Sequence, residues 1–278
     1  MPSILQVEGG HPLHGEITVR GAKNFVPKAM GASLLADTPS ELYNVPLIRD
    51  TDVVSNLLSL HGVEIDFDQD RGTLRMDTSN VKIASRSDID TLAGASRIPI
   101  LFCGPLLHQL GEAFIPELGG CAIGGRPIDF HLDTLRQFGA IIDKQPDGVH
   151  IKRPSTGLHG AIIELPFPSV GATEQTLLTA VRNEGITTLK GAAIEPEILD
   201  LINVLQKMGA IISVDTDRTI RIEGVAKLTG YRHTALPDRI EAASWGAAAL
   251  ATHGDIYARG AHQPDMPAFL NTFRKVGG

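Results

Sequence analysis

The chain has 278 residues, 42% of them hydrophobic and 21% charged, enough for one large or two modest globular domains with a sizeable core. A formal charge of −7, from 25 basic and 32 acidic residues, argues against nucleic acid or an anionic membrane as the partner, so any phosphate site has to be a local cluster. No apolar run approaches membrane-spanning length, the two cysteines make no disulfide framework, and no signal peptide precedes Ile4-Leu5-Gln6-Val7; a reducing cytosol is the expected compartment.

Taken from the N-terminus, the apolar spacing predicts a helix over 28–35 and a strand over 41–45. A second helix then closes on Gly62, and residues 63–67 and 73–76 form a hairpin. The same order returns as a helix over 97–110, a strand over 113–115, a helix closing on Gly139, and a hairpin of 140–143 with 149–152. It returns again as 173–182, 186–189, a helix closing on Gly209, and a hairpin of 211–214 with 220–222. A fourth copy begins with 240–251 and 255–258 and closes a helix on Gly277. Each closing glycine can adopt the left-handed conformation that ends a helix.

Repetition at about 70 residues points to several copies of one α+β unit around a shared core, and not to a short-period solenoid. Three units are expected to close into one domain with helices inside and sheets outside. The first helices, such as 242–251 around Trp245, are apolar on most of their circumference and are expected to be buried. The fourth unit reaches Gly278 without a hairpin. The expectation is therefore an incomplete chain; the alternative is a final helix that acts as a cap.

The chemistry concentrates in Gly119-Gly120-Cys121-Ala122-Ile123-Gly124-Gly125-Arg126-Pro127-Ile128-Asp129-Phe130-His131. The glycines allow backbone to approach a ligand closely, and Pro127 suits the first turn of a helix. A helix N-terminus and Arg126 would favour an anion beside Cys121 and lower its pKa. The residues alone leave a second reading open, in which Cys121 is a small buried thiol in a tight turn. Cys103, on an apolar helix, is expected to be buried and inert. Ten histidines show no His-x-x-x-His spacing and no Cys-x-x-Cys occurs, so no metal site is expected.

The string Gly-Gly-Cys-x-Ile-Gly-x-Arg-Pro-x-Asp-x-His resembles the catalytic loop of the UDP-N-acetylglucosamine 1-carboxyvinyltransferase family. Gly21-Ala22-Lys23-Asn24 matches the family segment whose lysine contacts phosphoenolpyruvate and whose asparagine contacts the sugar nucleotide. Arg97 lies where the family carries a substrate-binding arginine, although its setting, Ser96-Arg97-Ile98-Pro99, departs from Arg-Ala-Ser, and Pro99 should alter the first helical turn. Arg126, Pro127, Ile128, Asp129 and Phe130 match the segment that holds the uracil and ribose; Asp129 also reads as a first-turn acid favoured by the helix dipole. Phe167, Pro168, Ser169, Val170 and Gly171 resemble the turn that approaches the diphosphate at a helix start, where an ordinary helix cap would use similar residues. Ile194 stands where many members have arginine before Glu195-Pro196-Glu197.

The resemblance implies an inside-out α/β barrel, the enolpyruvyl transferase fold, with one complete domain over 21–229. Residues 1–20 and 230–278 would belong to an incomplete second domain whose C-terminal part is missing from this chain. It further implies transfer of the enolpyruvyl group of phosphoenolpyruvate to the 3-hydroxyl of UDP-N-acetylglucosamine, the first committed step of peptidoglycan precursor synthesis, without metal or organic cofactor. Cys121 would be the catalytic proton donor. Two alternatives stand beside it: a non-catalytic UDP-sugar-binding paralogue, and an enzyme like 5-enolpyruvylshikimate-3-phosphate synthase, which lacks a counterpart of the Cys121 loop.

Overall fold

Four successive helix–strand–helix groups are present in the computed structural model, which describes residues 4–93, 98–116 and 128–278. Strand β1 (His14–Thr18) precedes the first group, which comprises α1 (Val26–Ala32) with a 3₁₀ turn at Ser33–Leu35, β2 (Ser40–Tyr43), α2 (Arg49–Leu60), β3 (Glu64–Asp68) and β4 (Thr73–Asp77). Helix α3 (Arg86–Ala93) leads to the second group: a 3₁₀ turn at Ile98–Phe102, α4 (Cys103–Gln109), β5 (Glu112–Pro116), α5 (Asp129–Gln137), β6 (Ile141–Gln145) and β7 (Gly148–Lys152). The third group is β8 (Ile162–Glu164), α6 (Val170–Ala180), β9 (Ile186–Lys190), α7 (Pro196–Lys207), β10 (Ile211–Val214) and β11 (Ile220–Glu223). The fourth is β12 (Arg232–Thr234), α8 (Arg239–Ala251), β13 (Asp255–Arg259) and α9 (Pro267–Lys275).

The four closing glycines all have positive φ: +84° at Gly62, +92° at Gly139, +107° at Gly209 and +97° at Gly277. In the first three groups that residue turns the chain from a helix into the first strand of an antiparallel hairpin. Pro99 leaves the expected mark, since the helix anticipated from 97 onward starts as the 3₁₀ turn and becomes α-helical only at Cys103.

The chain divides into two units, Lys23–Leu236 and Met1–Ala22 with Pro237–Gly278. In the larger one, the helices at the start of each group are interior. All of Ala172–Ala180 in α6 is buried, as are six residues of α1. Helix α6 carries Thr173, Thr176 and Thr179 into this core without leaving their hydroxyls unpaired, because each donates to a carbonyl one turn back, at 2.8, 2.8 and 2.7 Å. Around the helices lie three sheets, ordered β10-β11-β9-β8, β12-β2-β4-β3 and β5-β7-β6. Their strands alternate, with residues such as Leu74, Met76, Ile220 and Ile222 facing inward. This unit extends to Leu236, past the boundary at 229 expected from sequence, because β12 returns to pair in parallel with β2 and completes the first sheet.

The smaller unit pairs β1 in parallel with β13 and packs Val19, Ala242 and Met266 together, with Phe269 and Leu270 against them. Here one expectation fails. Helix α8 is apolar almost all round, yet Ala242 is its one buried residue and Ile240 is 50% exposed. A two-stranded sheet and one short amphipathic helix are too small to cover it.

The turn glycines yield a graded prediction. A Cβ at Gly62 would collide with the backbone carbonyl oxygen of Asn80, whereas one at Gly209 meets nothing within 4 Å. Gly209→Ala should cost about 1 kcal/mol, the left-handed backbone penalty alone, and Gly62→Ala about 2–3 kcal/mol. Urea unfolding of the two variants measures the difference; equal losses would show that the Asn80 contact is relieved without cost.

Candidate functional site

Four of the sequence-predicted site residues, Arg97, Cys121, Arg126 and Pro127, lie outside the described residues. The others fall on the N-terminal ends of helices in the larger unit. Ile128 is the N-cap of α5, and Asp129 and Phe130 form its first turn. Ser169 is the N-cap of α6, and its Oγ accepts a hydrogen bond from the Ala172 amide at 3.3 Å. Phe167, Pro168 and Val170 at this turn are exposed.

Helices α5 and α6 meet at these ends. The Phe130 and Phe167 rings stand edge to face with centroids 5.3 Å apart. At Gly171 a Cβ would lie 2.8 Å from His131 Nε2, so the imidazole packs directly against the bare backbone of the first turn of α6. His131 Nδ1 in turn lies 3.4 Å from Gln175 Oε1 on α6. Two helix N-termini, each with orphan backbone N–H groups, are thus set side by side next to exposed aromatic surface. That combination suits a ligand with an anionic centre and a flat ring.

The α1 end is tied to the same region by a buried ion pair. Lys28 Nζ lies 3.5 Å from Glu174 Oε1, with side chains 14% and 5% exposed, which brings the first turn of α1 against α6. Burial pushes the Glu174 carboxyl up to about 7; Lys28 opposes the shift, and Glu197 and Glu195 at the start of α7 add to it. Glu195 Oε2 is buried with no hydrogen-bond partner among the described residues. Upstream of α1, Lys23 and Asn24 are exposed, and Lys23 Nζ is 3.5 Å from Asp50 Oδ2.

Sequence reasoning did not single out His131, Gln175, Lys28 or Glu174 as site residues. His131 is the last residue of the motif that was read, one residue beyond the segment given a binding role. Lys28 and Glu174 are 146 positions apart, and only tertiary packing shows that they pair. Cys103 is 1% exposed, and burial pushes its thiol pKa up, which makes it a poor nucleophile. A cavity of about 320 Å³ lies elsewhere, against the β5-β7-β6 sheet, lined by His61, Arg86, Phe114 and His150 among others. None of the predicted site residues among the described ones borders it.

Interior helices surrounded by three outer sheets are the arrangement of the enolpyruvyl transferase fold. The structure matches the enolpyruvyl transferase NikO from Streptomyces tendae with a TM-score of 0.76 at 24% identity, over 86% of this chain and 55% of that one. It matches EPSP synthase from Acinetobacter baumannii with a TM-score of 0.70 at 19% identity, over 96% and 60%. The family pattern of EPSP synthase (3-phosphoshikimate 1-carboxyvinyltransferase) covers residues 7–277, and the chain belongs to that family.

Within it, the chain is 44% identical over 279 residues to the UDP-N-acetylglucosamine 1-carboxyvinyltransferase of Protochlamydia amoebophila (strain UWE25), covering 99% of this chain and 60% of the relative. The protein of the same name from Chlamydia pneumoniae is 42% identical over 276 residues, again 99% and 60%. That from Acidiphilium cryptum (strain JF-5) is 44% identical over 274 residues, 98% and 64%. The chain therefore spans about 60% of the length of these curated relatives.

The buried pair gives a pH prediction. A carboxyl raised to about 7 when folded, against an ordinary 4.5, binds its proton more readily in the folded state, so stability falls as pH rises from about 5 to 8. Glu174→Gln should flatten that slope by on the order of 2 kcal/mol. Urea midpoints at pH 5.5 and 8 test it, and identical slopes in the two proteins would contradict it.

Proposed function

We propose that this chain carries the nucleotide-binding and proton-donating part of a UDP-N-acetylglucosamine enolpyruvyl transferase. The observation that carries the reading is the apposition of the α5 and α6 N-termini at Gly171, with Phe130 and Phe167 beside them. The resemblance assigns uracil and ribose to the first of these ends and the diphosphate to the second. Identity of 40–44% with relatives of that name supports the choice of acceptor.

In this reading Ile128, Asp129 and Phe130, with Arg126 and Pro127 ahead of them, hold the nucleoside. Phe167, Pro168, Ser169, Val170 and Gly171 form the turn that takes the diphosphate, through backbone N–H groups and the helix dipole. Asn24 has an amide that both donates and accepts, suited to the sugar, and Lys23 offers a point charge to the phosphate of phosphoenolpyruvate. Arg97 and Arg126 add further positive charge.

The chemistry follows from the substrates. The sugar 3-hydroxyl gives its proton to a carboxylate base as its oxygen bonds to the enol carbon of phosphoenolpyruvate, and the neighbouring methylene takes a proton, giving a tetrahedral intermediate. Phosphate then leaves with the electrons of its carbon–oxygen bond, and loss of a proton from the new methyl group restores the double bond. Cys121 supplies the first proton, and its thiolate is the group that a covalent phospholactoyl adduct would occupy. Lys23, Arg126 and a further arginine stabilise the accumulated negative charge.

We place this reaction in the cytosol, in cell-wall precursor synthesis on which bacterial shape and division depend. Among the described residues no helix is long and apolar enough to cross a membrane.

The test uses the protein that carries this chain. Phosphate release from phosphoenolpyruvate should require UDP-N-acetylglucosamine and not proceed with shikimate 3-phosphate. Cys121→Ala should lower turnover at least about 100-fold, as expected on losing a general acid. It should also abolish labelling by fosfomycin, an epoxide phosphonate that resembles phosphoenolpyruvate. Release with shikimate 3-phosphate, or labelling at Cys103 instead, would overturn the reading.

A further inference from the structure

The segment that presents Lys23 and Asn24 ends on Phe25, the N-cap of α1, whose ring is fully buried and whose carbonyl accepts from the Lys28 and Ala29 amides at 2.9 and 3.1 Å. What the Phe25 ring rests on is unusual: the imidazole of His233 in β12, with centroids 5.5 Å apart and planes tilted by 51°. His233 is 7% exposed and is gripped at both nitrogens by one helix. Its Nε2 lies 3.0 Å from Asp200 Oδ2 and its Nδ1 2.8 Å from Lys207 Nζ, both on α7.

An ammonium can only donate and a carboxylate only accepts, so the ring hydrogen sits on Nε2 and the Nδ1 lone pair receives Lys207. Tautomer and ring plane are thereby both set. The same two α7 side chains also hold the backbone at either end of this stretch, Lys207 at the Arg232 carbonyl in β12 at 3.5 Å and Asp200 through the Leu236 amide, two residues past the strand, at 3.3 Å. One residue before this strand, the Tyr231 hydroxyl donates to the Ala29 carbonyl of α1 at 2.6 Å. The chain at Tyr231 and His233 thus meets α1 and its N-cap twice, and of these two contacts the clamped imidazole is the one on Phe25, next to Lys23 and Asn24 in sequence. A leucine would fill that space with fewer demands. A Lys–His–Asp chain instead fixes one orientation, since any tilt of the ring costs a charge-assisted hydrogen bond at one end.

We propose that His233 is a positioning residue for the Lys23-Asn24 segment: held between Asp200 and Lys207, it seats the Phe25 ring and so sets where Asn24 meets the sugar of a nucleotide-sugar ligand. This rests on the sugar-nucleotide reading above. It assigns to β12 a part in sugar recognition, separate from the nucleotide end at α5 and α6.

The two ends can be told apart by calorimetry on the full chain, with UDP-N-acetylglucosamine and UDP as probes. His233→Leu should weaken the sugar nucleotide about tenfold and leave UDP within about twofold. His233→Gln, whose amide both donates and accepts, should recover most of the loss. Lys207→Met, at an exposed position, should act in the same direction by about threefold. In an Asn24→Ala background none of these changes should add a further loss. Equal weakening of both probes, or no weakening of either, would overturn the proposal, as would a wild type that binds the sugar nucleotide no tighter than UDP. A wild type that binds neither probe would remove the underlying reading and this proposal with it.

Discussion

The candidate site depends on how closely α5 and α6 approach one another. The His131 imidazole packs on the bare backbone of Gly171, 2.8 Å from where a Cβ would stand, and beside it Phe130 stands against Phe167. Helix ends are ordinarily kept apart because their aligned dipoles repel. The arrangement here is stabilised by packing of α6 through the protein centre, where Leu177 and Leu178 are fully buried, each worth about 1.5–3 kcal/mol. Core packing thus holds positive potential in a place where an anion would relieve it.

The buried polar groups follow the same logic. Lys28 and Glu174 bring α1 to α6 at the cost of a carboxyl that burial drives toward its neutral form. An apolar pair of similar volume could be more stable there. His233 between Asp200 and Lys207 likewise trades freedom for a single orientation. Each network ties two elements together, α1 to α6 in one case and β12 to α7 in the other.

Much of the fold was legible because it is local. The glycines at 62, 139, 209 and 277 carry positive φ, and the hairpins after the first three follow from their geometry. Strands β8 and β12 were not legible. Each has three residues, and each exists through parallel pairing with β9 or β2, so the stabilising partner is remote in sequence for β12 and across a helix for β8. Helix α8 was misjudged for a related reason, since apolar periodicity records what a helix can bury and not what stands next to it. Short motifs picked out Ser169, Gly171 and Phe130 as lying at helix starts, because loop–helix junctions use recognisable residues. Lys28, Glu174 and His233 lie mid-element and acquire meaning only from neighbours on other elements.

The claim on which the account turns is that the joined N-termini of α5 and α6 are where a nucleotide sits. Heteronuclear NMR of the isotopically labelled chain during titration with UDP-N-acetylglucosamine tests it most directly. Amide shifts should concentrate at Phe130, His131, Phe167, Ser169 and Gly171. Shifts centred instead on the cavity around His61 and Phe114, with those five amides unmoved, would contradict it.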